Sequence, residues 1–134
     1  MQLTIFTDYG LRCLMFLSAN RGRLCSVREI AVYYGISYNH LVKVVHRLAQ
    51  IGYVESVKGR GGGIRLAPGA DAVRLGDLVR ALEPGMDIVE CFNRDTNTCR
   101  ITGACRLKHI LHDATQAFLD TLNRHTLAET RLDI

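Results

Sequence analysis

Apolar and polar positions along the chain change their period several times, and each change predicts an element. In "TDYGLRCLMFLSAN", residues 7–20, Leu11, Leu14, Met15 and Ser18 fall at helical spacing behind a cap candidate, Thr7. "SVREIAVYYG" opens on a Ser-x-x-Glu capping box (Ser26, Glu29), repeats Val27, Ile30, Ala31 and Tyr34 on one face, and stops at Gly35. After a short turn, "ISYNHLVKVVHRLAQIG" restarts with Ser37 as a cap and an apolar stripe of Leu41, Val44, Val45 and Leu48 that ends at Gly52. Two helices joined by a tight glycine turn predict a helix-turn-helix. The period then falls to two: Tyr53 to Val57 runs out, Ile64 to Ala67 runs back, and a tip of Lys58, Arg60 and four glycines lies between them.

Two further helices flank a polar stretch. "DAVRLGDLVRALEP" predicts one from Asp71, broken at Pro84, with Leu75, Leu78, Val79 and Leu82 on its buried face. From about Ala104 the pattern is helical again through Leu107, Ile110, Leu111, Ala114, Ala117, Phe118 and Leu122. Leu107, Leu111, Ala114 and Phe118 step by four, three and four, as in a coiled-coil seam. A small winged domain has little surface to cover that stripe, so it predicts a homodimer. The fold class is mainly α with a small β-hairpin wing: a winged helix-turn-helix over 1–83, a cysteine-rich loop over 84–106 and a dimerisation helix over 104–127. The tail over 128–134 carries no pattern.

Composition narrows the class. With 134 residues and 48% apolar content, one domain can build a core without disulfides. The five cysteines are an odd number, the N-terminus lacks the pattern of a signal peptide, and no apolar run approaches the roughly 18 residues a membrane span needs. These features predict a soluble cytoplasmic protein with reduced thiols and no membrane partner.

The formal charge of +4 is unevenly spread: residues 21–65 hold eight Lys and Arg against two Glu. Such a segment suits a phosphate backbone, because each neutralised phosphate releases counterions. Ser37, Tyr38, Asn39, His40 and Lys43 begin the second helix of the motif or lie off its apolar stripe, where a recognition helix meets base edges in the major groove. Asn can bond adenine at two points there. Lys58 and Arg60 on a tip of glycines suit the minor groove or its phosphates, and Arg28 and Arg65 extend the basic surface. The glycines do not form a nucleotide-phosphate loop, since no Gly-Lys-Ser/Thr follows them and no helix opens directly after the tip.

"CFNRDTNTCRITGACRLK", residues 91–108, places Cys91, Cys99 and Cys105 in a polar loop where thiols add little to packing. Clustered thiolates bind zinc or iron–sulfur cores. Structural zinc sites usually contain a Cys-x2–4-Cys pair, which is absent, so the spacing favours iron–sulfur. Arg94, Arg100, Arg106 and Lys108 would favour thiolates and offset cluster charge. Cys13 and Cys25 read as ordinary packing residues. Nothing resembles a substrate-activating triad, so no enzyme is predicted. An electron-transfer protein using the cluster would leave the wing without purpose. A metal-free regulator switched by a disulfide is a third reading.

Four stretches together resemble the Rrf-two family of winged-helix regulators, and within it the repressors that sense nitric oxide: "FTDYGLR", "SYNHLVKVVHRLAQIGYVESVKGRGGGIRLA", "LGDLVRALEP", and three cysteines ending in "ACRLK". The resemblance covers nearly the whole chain. It implies a homodimer on a palindromic double-stranded operator, with one iron–sulfur cluster (4Fe-4S or 2Fe-2S) per subunit held by Cys91, Cys99 and Cys105. It also implies a fourth ligand, Asp8, from the partner subunit, and release of the operator when nitric oxide attacks the cluster. On its own, Asp8 reads as an acid favoured by the helix dipole. The first cysteine gap is seven residues, against the family's common five. Lys108 stands where the relative that senses iron–sulfur supply has a histidine, with His109 next to it, which weakens that supply- or redox-sensing alternative.

Overall fold

The computed structural model describes all 134 residues. Its first helix, α1 (Ile5–Ala19), starts one turn before the predicted cap: Thr4 is the N-cap, and its hydroxyl accepts from the Thr7 N–H at 3.3 Å. Thr7 is fully buried, and its own hydroxyl is taken by Glu83. Cys13, Leu14, Phe16 and Leu17 put α1 at the centre of the core.

The helix-turn-helix forms as predicted. The Ser26–Glu29 capping box opens α2 (Val27–Tyr34), and Gly35 closes it. Ser37 caps α3 (Tyr38–Gln50), accepting from the His40 N–H at 3.2 Å. Leu41, Val44, Val45 and Leu48 all face the core, so one helical stripe anchors α3 and leaves its opposite side in solvent. The wing pairs β1 (Val54–Val57) with β2 (Gly63–Leu66) antiparallel, with Glu55 opposite Arg65. Cys25 adds a bridge to Ile64, with backbone bonds of 2.9 and 2.7 Å, and so fastens the wing to the entry of α2.

Two predicted boundaries move. The helix expected from Asp71 begins at Leu75 as α4 (Leu75–Leu82), because Val73 and Arg74 are extended. Asp71 lies in a 3-10 turn, where its carboxylate pairs with Arg21 at 2.7 Å and caps nothing. The helix expected over 104–127 is α5 (Arg106–Leu122). After Asn123 the chain turns back, and Leu127, with 0% of its surface exposed, enters the same core as α1. Backbone bonds from the Leu75 N–H to His125 and from the Leu127 N–H to Val73, both 3.0 Å, hold the return. Leu127–Thr130, which spans the end of the expected helix and the start of the tail over 128–134 read as patternless, is therefore a 3-10 turn packed against α1. No helix is long and apolar enough to cross a membrane.

Candidate nucleic-acid interface and cysteine loop

The exposed side of α3 carries Asn39, Lys43 and Arg47, and Tyr38 stands at its first turn with the guanidinium of Arg28 stacked 4.3 Å from its ring centroid. That stacking joins Arg28 on α2 to the start of the reading helix. His40 differs from the other predicted contacts. It is half-buried, with its ring 5.0 Å from Tyr9 and 6.4 Å from Phe6, and so braces α3 against α1. Ser37 is committed to its cap.

At the wing, Lys58 and Arg60 are exposed and unpaired, whereas Arg65 is tied to Glu55 at 3.0 Å across the hairpin. A Cβ on Gly62 would sit 2.1 Å from the Val57 carbonyl oxygen, so the turn closes only with glycine there. The tip therefore presents two cations on backbone with almost no side-chain bulk.

All five thiols are free. Cys13 is fully buried, and burial pushes its thiol up to about 12; burial raises Cys25 as well. Cys91, Cys99 and Cys105 are half-buried in the loop between α4 and α5. The 3-10 turn Glu90–Phe92 carries Cys91, and the Phe92 ring meets His112 of α5 edge-on at 6.1 Å. Around Cys99, the Asn97 side-chain oxygen accepts the Cys99 N–H at 3.0 Å, while the Thr102 hydroxyl donates to the Cys99 carbonyl at 2.8 Å. Cys105 is the N-cap of α5, its sulfur accepting from the Lys108 N–H at 3.4 Å.

In type and number these donors suit a thiolate-bound cluster, but in one chain no three Cys, His, Asp or Glu groups converge to hold a metal. The loop would have to close, and a fourth donor would have to come from elsewhere. Asp8 lies on α1, half-exposed, with its carboxylate paired with Arg12 at 2.8 Å. The predicted dimer stripe divides into two parts. Leu107 is 59% exposed and Ala114 is exposed, while Leu111 and Phe118 are half-buried and line, with Ala114, a groove shared with the chain's first residues and the loop after α4.

Two features escaped the pattern reading. The first is Glu83, which precedes a helix-breaking proline and looks like a surface acid, yet its carboxylate sits at the N-terminus of α1. The second is a cleft beside Cys91, between α4 and α5, lined by Arg80, Arg94, Lys108, His109 and His112. Of this lining, only Arg94 and Lys108 had a sequence signal as cations near thiols.

A helix-turn-helix with an unpaired basic face, followed by a hairpin with a cationic glycine tip, defines a winged-helix DNA-binding regulator. The chain belongs to the Rrf2 family of iron-dependent transcriptional regulators, whose family model matches residues 3–130. The protein of Shouchella clausii (strain KSM-K16) named HTH-type transcriptional regulator NsrR is 47% identical over 134 residues, covering 99% of this chain and 90% of its own. The Bacillus subtilis (strain 168) protein of the same name is 48% identical over 130 residues, covering 96% and 89%. Among solved structures, CymR, the global cysteine regulator of B. subtilis, superposes with a TM-score of 0.70 at 27% identity, covering 95% of this chain and 93% of its own. IscR of T. potens shares the fold, with a TM-score of 0.75 at 23% identity over 96% and 84%. The winged-helix fold expected from the sequence is thus the fold of these regulators.

Proposed function

We propose that this regulator is a homodimeric repressor of a palindromic operator and that nitric oxide, sensed at Cys91, Cys99 and Cys105, releases it from DNA. The observation that carries this reading is the placement of the thiols. Three free, half-buried cysteines lie in one loop that starts directly after α4 of the DNA-binding unit and ends as the cap of α5. A change in that loop therefore acts on both the reading head and the helix proposed to join the subunits.

Cys91, Cys99 and Cys105 would hold one iron–sulfur cluster per subunit, and Asp8 of the partner subunit would supply the fourth donor. When bound, such a cluster supplies iron that a small diatomic ligand can attack, and a carboxylate donor is more readily replaced than a thiolate. The chain's own residues do the rest. Lys108, Arg94, Arg100 and Arg106 offset the negative charge of the thiolates. Asn97 and Thr102 fix the backbone at Cys99. Leu107, Leu111, Ala114 and Phe118 on α5 would hold two copies at a separation that matches two half-sites.

Titration of anaerobically reconstituted protein with nitric oxide tests this directly, with visible absorbance and operator binding followed together. Both should fall in step, and Cys91→Ala, Cys99→Ala or Cys105→Ala should abolish the visible band. Bleaching with operator affinity unchanged would reject the switch.

A further inference from the structure

The geometry points to Glu83 as the positioning residue through which the cysteine loop governs the reading helix. Glu83 is the last residue before Pro84, where that loop begins. Its carboxylate lies across the N-terminus of α1: both oxygens are 3.2 Å from the Thr4 N–H, one is 3.1 Å from the Thr4 hydroxyl, and the buried Thr7 hydroxyl donates to that same oxygen. A carboxylate placed on free helix N–H groups and hydroxyls both satisfies them and complements the helix dipole. This one comes from a residue 79 positions away, so the start of α1 depends on where α4 ends.

The neighbouring contacts make the linkage stiff. Leu82 packs so closely on α1 that a Cβ on Gly10 would lie 2.8 Å from its Cδ1 atom. One turn along α1, Phe6 and Tyr9 hold the His40 ring in the first turn of α3. Any shift of Pro84 thus withdraws the carboxylate from α1, and α1 carries the shift to the end of α3 that faces the bases. The inference rests on the proposed function only for what moves the loop.

Residue-resolved hydrogen exchange by NMR on the cluster-free protein tests it. Glu83→Ala should speed exchange about fivefold, as expected for a lost cap, at the Thr7 and Asp8 amides of α1. It should also speed exchange at the His40 and Leu41 amides of α3, with the β1–β2 hairpin unchanged. Glu83→Gln, which keeps one acceptor oxygen and the volume, should restore α3. If Glu83→Ala does not fold, Thr7→Val removes the buried donor at constant size and should give the same pattern. Faster exchange confined to α1 would make Glu83 an ordinary cap and overturn the inference, as would no change in either helix. A wild-type protein whose operator affinity ignored nitric oxide would sink the proposed function instead, and the exchange pattern would still decide the role of Glu83.

Discussion

Leu127 offers the sharpest test of the fold, because the chain around it carries no pattern and yet its side chain is wholly buried with Leu14, Leu17 and Leu78. Leu127→Ala removes the equivalent of three methylene and methyl groups, worth about 0.8 kcal/mol each in transfer alone. The cavity left behind adds to this when neighbours cannot collapse, and here the return segment is pinned by the Leu127 N–H to Val73 bond and by the Leu75 N–H to His125 bond. The expected destabilisation is about 3 kcal/mol, within the usual range for buried Leu→Ala. For a chain of this length that corresponds to a fall of roughly 12 °C in Tm. Urea unfolding at one fixed protein concentration measures it, since any coupling to association makes stability concentration-dependent. Ile134→Ala, at a terminal residue 55% exposed, is the control and should change little. A loss below about 1 kcal/mol would mean that the tail does not belong to the core.

Other outcomes follow from the same geometry. In folded, cluster-free protein at neutral pH, an alkylating reagent should label Cys91, Cys99 and Cys105 and spare the buried Cys13 and Cys25, with all five labelled after unfolding; mass spectrometry counts them. Phe118→Ala should weaken a dimer seen by sedimentation at micromolar concentration by about 3 kcal/mol, and a wild-type monomer under those conditions would remove the two-half-site model. Glu29 is held below its ordinary value of 4.5, chiefly by the Arg23 guanidinium, with the Ser26 N–H adding to the effect. Its contribution is therefore present above the unfolded value and lost as pH falls through the lower folded one. Glu29→Gln should accordingly narrow the stability gap between neutral and acid solution, and urea titrations at the two pH values would show it.

The parts of this fold that could be read in advance are those in which local signals agree with one another. The Ser26–Glu29 box, the Leu41–Leu48 stripe and the glycine tip each fix an element without help from distant residues. The misplaced boundaries have a different origin. Thr4 and Thr7 are both good caps in isolation, and the choice is made by Glu83, far along the chain. Leu127 is a single apolar residue, which produces no period. His40 lies off the apolar stripe of α3 yet is enclosed by Phe6 and Tyr9, since an amphipathic pattern describes one interface and α1 makes a second. For the cysteines, sequence gives the number and type of donor. Their arrangement depends on closure of a loop that no local propensity dictates, and the N-cap role of Cys105 is unusual for the residue type.

The same distinction applies to charge, and it sets what DNA binding should look like. Eight cations between residues 21 and 65 suggest a broad basic surface, but Arg21, Arg23 and Arg65 are held by Asp71, Glu29 and Glu55. Their fields are largely cancelled before DNA arrives. The cations without a carboxylate partner are Arg28, Lys43, Arg47, Lys58 and Arg60, which lie on the helix-turn-helix and the wing tip. Counterion release scales with phosphates actually neutralised, so about five contacts per chain give a slope of log affinity against log salt near −4 or −5 per chain bound. Lys58→Ala or Arg60→Ala should each flatten that slope by about one and weaken all sequences alike. Asn39→Ala should leave the slope intact and relax base preference by about 1–3 kcal/mol. Gel shifts across a salt series separate the two effects. If Arg21→Ala flattened the slope as much as Arg60→Ala, the ion pairs would not be silencing their cations, and the reading surface would extend well beyond α3 and the wing.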